Sequence, residues 1–555
     1  MKLTNNSYIS VHLLILAVII FCCVFICDVY FDTLVITEQG WIRGSRASDG
    51  NYIKYLGIPY AKVNDDNPFG ESIPFPKFNG VFNANNDSIM CPQVDMLSLQ
   101  YGGTLNCLRL NIFVPNSNKA KLPIMVYIHG GRFALGFTGS FQNTYLHGPR
   151  YFVRHDVILI TVNYRLGPYG FLCLDSAEVP GNQGIKDIVK ALSWIHDNIA
   201  AFGGDVKKIT VFGHSAGAMI IDLLLYTKAE KYINQAILQS GTAHANDVLG
   251  EMNNNVPIMI ANHLGFTTDN LNESLIFLKS QNTRDVVIAS KNLSLEFRPC
   301  VEKHFENYEG LIFKDPFNSE PTVFEKKFIL GHATEEYNVK FHKKSIQFFK
   351  DNDLFDNLLE YEFDFNNEEG KEAVSLVRHF YIGNNELTED LKWKIVNFTS
   401  DITFNYPTHR DMEKFERNGA NEVYYYIFSY TSSTNLYKKL LNISVGRTIH
   451  GDELSYLFET SAVSTLSKKD RIILDRMTTM WTNFAKFGNP TPNTTELLPV
   501  KWIPISKLNK NYLLIDIQEE MGKDLFRDRI RFWDDFYNLY KKYLKKDKKL
   551  INLIL

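Results

Sequence analysis

Five consecutive residues, Gly213-His214-Ser215-Ala216-Gly217, have the types and spacing for covalent chemistry. A serine hydroxyl is a poor nucleophile at its ordinary pKa. It needs a base, a group that orients the base, and donors for the oxyanion formed when it attacks a carbonyl. Small residues two before and two after let the chain turn sharply without Cβ clashes, so that the hydroxyl projects outward. Such a turn belongs between a strand and a helix. Lys208 to Phe212 (KITVF) is a short apolar strand run, and AMIIDLLLY after the serine reads as helix, whose amino end adds positive potential near developing negative charge.

The neighbouring elements must hold that turn. Leu122 to Ile128 is an apolar run stopped by His129-Gly130-Gly131, Val157 to Val162 is a second, and Ala236 to Gln239 is a third. Between Gly184 and Phe202 the residues Ile185, Ile188, Val189, Leu192, Ile195 and Ile199 recur at spacings of three and four, one face of a helix. Alternating strand and helix predicts an α/β fold with a largely parallel sheet and helices on both faces. Its ligand crevice lies at the carboxyl ends of the strands, where Ser215 falls. The turn after Ile128 and the N–H of Ala216 are the expected oxyanion donors.

The whole chain has 555 residues, 45% hydrophobic and 22% charged, enough apolar content for a large core and too much for disorder. Lys+Arg 59 against Asp+Glu 62 leaves no field to hold nucleic acid. No phosphate loop, zinc spacing or nucleotide fingerprint appears, so neither cofactor nor metal is expected. No repeat or linker divides residues 28–555, which are expected to form one domain. The apolar run Val11 to Cys27 behind Lys2 reads as a secretory signal peptide over residues 1–27. An uncleaved anchor is the alternative, because Phe25 and Cys27 stand where a cleavage site favours small residues. Cys22, Cys23 and Cys27 lie in that leader, leaving Cys91, Cys107, Cys173 and Cys300, of which Cys173 and Cys300 read as buried free thiols or as a pair. Export would make Asn86, Asn272, Asn292, Asn397, Asn442 and Asn493 glycosylation candidates. The basic run Lys541 to Lys549 reads as a solvated tail.

From Gly40 to FWDDFYNLY the chain resembles the type-B carboxylesterase and cholinesterase family of α/β-hydrolases. The resemblance is carried by YLGIPYA at Tyr55 to Ala61, the HGG turn, NYRLGPYGFL, EVPGNQGIKD, NIAAFGGD, FGHSAGA and ILQSG. It implies Ser215 as nucleophile, Glu336 in GHATEEY as acid and His450 in IHGDELSYLF as base, in the chain order of that fold. It implies Gly131 and Arg132 as oxyanion donors beside Ala216, Ser240 as a hydrogen-bond partner of the acid, and a Cys91–Cys107 disulfide. Three positions depart from the family pattern. Arg132 replaces a third glycine, where a guanidinium could crowd the acyl pocket or favour an anionic group. His214 stands where relatives often carry Glu or Gln, and Tyr337 where they usually carry Gly.

The segment between Cys91 and Cys107 contains no tryptophan, and stacking a choline needs that ring. GDELSYLF resembles the insect-type branch that includes juvenile hormone esterases and odorant or xenobiotic esterases, and His214 in place of their usual Gln favours a general carboxylesterase. The expectation is a secreted serine carboxylesterase acting on a small apolar ester, with no nucleic-acid or obligate membrane partner. A neuroligin-like adhesion protein and a cholinesterase are the alternatives. The first is opposed by Ser215, Glu336 and His450 occurring together, because such relatives lose the serine.

Overall fold

A computed structural model describes residues 33–545 apart from 96–98, 142, 143, 247 and 307. The expected signal segment, residues 1–27, lies outside the described residues, as does the end of the basic tail. Among the described residues no helix is long and apolar enough to cross a membrane.

Eleven strands form the main sheet. In chain order they are β1 (Ser45–Arg46), β2 (Tyr52–Pro59), β3 (Arg109–Pro115), β4 (Leu122–Ile128), β5 (Ile158–Val162), β6 (Gly204–His214), β7 (Gln235–Gln239), β8 (Lys327–Ala333), β9 (Glu422–Phe428), β10 (Asn511–Ile515) and β11 (Glu520–Lys523). In space they run β11-β10-β9-β8-β7-β6-β4-β5-β3-β2-β1. From β5 across to β10 every neighbour is parallel, and the edges are antiparallel.

The central strands are apolar on both faces because helices cover both. Along β4, Ile124, Val126 and Ile128 join a core containing Ile185, Ile188 and Leu192 of helix α1 (Gln183–Asn198) and Ile220 of α2 (Ala216–Leu224). The alternate residues Met125 and Tyr127 face a second core with Met477, Met480, Trp481 and Phe484 of a long helix, Lys468–Phe487. The 184–202 helix expected from periodicity is α1 followed by a 3-10 turn, Ile199–Phe202, closed by Gly203 at φ +83°.

Register fixes where the strands end. Ile128 pairs with Gly213, His214 with Gln239, Gln239 with Gly331, and Ala333 with Phe428. The turns after β4, β6, β7 and β8 therefore emerge along one line, although the first and last lie far apart in sequence, after Ile128 and after Ala333.

Two family motifs serve this frame. Arg165 of NYRLGPYGFL and Asp187 of GNQGIKD form a fully buried two-pronged ion pair at 2.7 and 2.8 Å, and Arg165 also donates to the carbonyls of Pro68 and Gly70. The guanidinium fork matches the carboxylate, which is what makes a buried pair tolerable. Cys91 and Cys107 form a disulfide, and Cys173 and Cys300 form a second that spans 127 residues. Of the two readings open for Cys173 and Cys300, the structure has the pair. Asn182 clamps the joint, its amide donating to the Cys300 carbonyl at 2.8 Å and accepting from the Cys300 N–H at 2.9 Å.

Candidate active site

Ser215 sits between β6 and α2 with φ +56° and ψ −128°, a backbone state that costs energy for a residue with a Cβ. The turn closes because its flanking positions have no room for side chains. A Cβ on Gly217 would lie 2.1 Å from the Ile128 carbonyl oxygen, and one on Gly213 would lie 2.8 Å from the same atom. The Ser215 N–H is tied to the Gln239 carbonyl at 2.8 Å, so β7 fixes the elbow. Ser215 and His450 are half-buried and reach solvent, whereas Glu336 and Ser240 are fully buried.

Glu336 follows the end of β8. Its Oε2 accepts from His450 Nδ1 at 2.6 Å, and its Oε1 accepts from the Ser240 hydroxyl at 2.7 Å and the Ala333 N–H at 2.6 Å. Burial pushes this carboxyl up, but His450, His332 and Ser240 outweigh it and hold the group below the usual carboxylate range. Glu336 is therefore an anion aimed at one nitrogen of His450, which leaves Nε2 as the imidazole's other face. Glu335, its neighbour, instead accepts from the Arg447 N–H.

The turn after β4 packs on the elbow. A Cβ on Gly130 would lie 2.5 Å from the His214 carbonyl oxygen and 3.0 Å from Ser215 Cβ. Gly131 has φ +122°, Arg132 φ +55° and Phe133 φ +60°. Such a run of left-handed residues curls successive N–H groups inward, a geometry that suits an anion. The N–H groups of Gly131 and Arg132 have no hydrogen-bond acceptor among the described residues, and Ala216, first residue of α2, has its N–H free of the helix ladder. The Arg132 guanidinium pairs with Glu296 at 2.8 Å, and Glu296 is held in turn by Arg298 at 2.8 Å.

His214 is buried, its ring centroid 4.4 Å from that of His450 and 6.5 Å from that of Tyr437. Its Nε2 is buried without a partner. Burial, then the charges possible on His450 and His147, hold it well below the ordinary imidazole range, so it stays neutral. Two groups around the site were not singled out from sequence. Phe404 packs its ring 4.8 Å from the His450 ring. Glu453, three residues after His450, is buried behind Gln239 and pushed up to about 7 by burial and by the charge of Glu336. The letters GDELSYLF contain Glu453, but nothing in their order announces its burial.

The glycosylation candidates divide. Asn86, Asn272, Asn292, Asn442 and Asn493 are exposed. Asn397 is half-buried within the helix Lys392–Ser400, and the hydroxyl of its sequon partner Thr399 is buried against the carbonyls of Ile395 and Val396. Ser274, the sequon partner of Asn272, is likewise fully buried, its hydroxyl donating to the Leu271 carbonyl at 2.7 Å. Among the described residues no group of three or more His, Cys, Asp or Glu side chains could hold a metal ion.

Comparison with known proteins gives the family and the fold. Residues 32–533 match the model of the carboxylesterase family. Juvenile hormone esterase of Tribolium castaneum is 30% identical, with 91% of this chain and 95% of the relative covered. Bile salt-activated lipase of Mus musculus is 29% identical over 90% of this chain and 86% of its own length. The crystal structure of juvenile hormone esterase from Manduca sexta, with OTFP covalently attached, superposes with a TM-score of 0.78 at 27% identity, covering 91% of this chain and 99% of that one. The chain has the α/β-hydrolase fold, belongs to the carboxylesterase family and is a carboxylic-ester hydrolase.

Proposed function

We propose that the protein is a secreted serine carboxylesterase that hydrolyses small apolar esters through Ser215, His450 and Glu336. The observation that carries this reading is the 2.6 Å bond from His450 Nδ1 to a buried, charged Glu336 at the strand ends that also present Ser215 in its strained elbow. As the Ser215 oxygen bonds to the ester carbonyl carbon, His450 Nε2 takes its proton and Glu336 stabilises the imidazolium. The N–H groups of Gly131, Arg132 and Ala216 receive the oxyanion. The C–O bond to the alcohol then breaks, His450 returns the proton to the leaving oxygen, and water repeats the sequence on the acyl-enzyme. Ser240 holds the second oxygen of Glu336 and keeps the carboxylate facing His450.

Residues 28–555 act in this reading as one secreted domain, with the sequons at Asn86, Asn292, Asn442 and Asn493, exposed at both asparagine and hydroxyl residue, as its glycosylation sites. The test is Ser215→Ala in protein from a secretory host. It should abolish labelling by a fluorophosphonate and lower ester turnover about 10^4-fold or more. Wild-type protein that takes up no probe would leave a binding protein with an esterase fold.

A further inference from the structure

Two departures from the family pattern, His214 and Tyr337, are far apart in sequence but belong to one line of rings that runs through His450. His214 meets His450 at 4.4 Å with the planes at 46°, and Phe404 meets His450 at 4.8 Å and 35°. Phe404 in turn meets Tyr337 at 6.0 Å, and Tyr337 meets Phe341 at 5.7 Å. His214 and Phe404 make no ring contact with each other, so they approach His450 from different sides. We propose that Phe404, backed by Tyr337 and opposed by His214, is a positioning residue that clamps the His450 ring so that Nε2 faces Ser215 while Nδ1 stays on Glu336. This inference rests on the serine-esterase reading above.

The local backbone supplies the placement. Phe404 lies in a single π-helical segment, Asp401–Asn405, inserted between the helix Lys392–Ser400 and helix α3 (Tyr406–Arg417). A π turn widens the helix by one residue and swings a side chain out of the line that an α-helix would give it, and such turns are common at functional sites. The turn is pinned by a buried carboxylate. Asp401 accepts from the Tyr381 hydroxyl at 2.6 Å and the Asn405 amide at 2.7 Å, and pairs with Arg529 at 3.3 Å. Trp533 donates from its indole N–H to the Tyr381 hydroxyl at 2.9 Å. Arg529 and Trp533 belong to helix α5 (Arg527–Tyr540), with α4 being Lys468–Phe487. Helix α5 thus braces the ring that touches His450.

The clamp suits a group that gains charge. Tyr337 is anchored beside Glu336 by its own N–H, which donates to the Ser400 hydroxyl at 3.1 Å. The opposing face is a neutral ring, because burial keeps His214 uncharged. An imidazolium formed on His450 meets π density from Phe404 and no like charge from His214.

The test compares Phe404→Leu with Phe404→Tyr, each in the wild-type and His450→Ala backgrounds. In the full chain, Phe404→Leu should lower kcat and the rate of fluorophosphonate labelling of Ser215 about 10- to 100-fold, the scale of a small misplacement of a catalytic group. KM should stay within about twofold, and Phe404→Tyr, which keeps the ring, should restore most of the rate. In His450→Ala protein the residual rate should not respond to Phe404→Leu, because a positioning residue acts through the group it positions. A rise in KM at unchanged kcat, or an equal loss in both backgrounds, overturns the clamp while labelling of wild-type Ser215 upholds the esterase reading. Failure of wild-type protein to label at all removes that reading, and the clamp with it.

Discussion

Arg132 enters the proposed mechanism through its backbone N–H, while its side chain goes elsewhere. From sequence, a guanidinium among glycines could either crowd the acyl pocket or favour an anionic group. In the structure the side chain leaves that turn for Glu296, in a pair roughly half open to solvent. Arg132→Gly should therefore leave relative kcat/KM across acetate, butyrate and octanoate esters of one alcohol unchanged. Stability should move by no more than about 1 kcal/mol, since relief of the φ +55° backbone offsets loss of an exposed ion pair. A selective gain for octanoate would place the side chain back in the pocket. Ser215 was legible because its neighbours are constrained by the turn itself. His450 and Glu336 were legible only through resemblance, as their partnership joins residues 114 apart. Phe404 was not legible, because its direction comes from an extra residue in a helical turn, which leaves no mark in apolar periodicity.

Among the elements, strands were read from sequence where both faces are buried. Leu122 to Ile128 is β4 without adjustment, and the runs at 157–162, 208–212 and 236–239 lie within or one residue beyond β5, β6 and β7. The start of β6, Gly204 to Lys207, runs from buried through half-buried to exposed, and no apolar pattern marks it. Two elements carry predictions. The Cys91–Cys107 bridge closes a short loop, so replacing both with Ala should cost about 3 kcal/mol and reduce secreted yield, as read by denaturant unfolding and by blotting the medium. His147, packed on Tyr127 and Phe458, is held down to about 3 by burial and by His129. The folded protein keeps it neutral while the unfolded chain binds a proton below pH 6.5. Its contribution is therefore complete above that pH and is lost as pH falls towards 3. Relative to His147→Phe, whose pH-independent offset cancels in the comparison, wild type should lose about 2 kcal/mol more stability between pH 7 and pH 5. Parallel unfolding curves across that range would exclude the neutral imidazole as the cause.

At the scale of the whole molecule, composition and alternation sufficed for the sheet class, but they could not supply its closure. The antiparallel edges and the pairing of Cys173 with Cys300 depend on chain segments that meet only after folding, and no local signal marks a contact across 127 residues. That cross-link divides the proposed catalytic residues in an informative way. Ser215 lies inside the span that it closes, while Glu336 and His450 lie beyond it. Lys291 is exposed at the end of the helix Thr283–Asn292, within the same span, and exposed ends of this kind are where proteases cut. Trypsin cleavage there would put the nucleophile on one polypeptide and its base on another, yet the two would remain one covalent molecule. Probe-labelled, nicked protein should run at full size without reductant and release the label on the amino-terminal fragment with it. A chain interrupted in this way would behave as a two-chain hydrolase whose halves were never free to part.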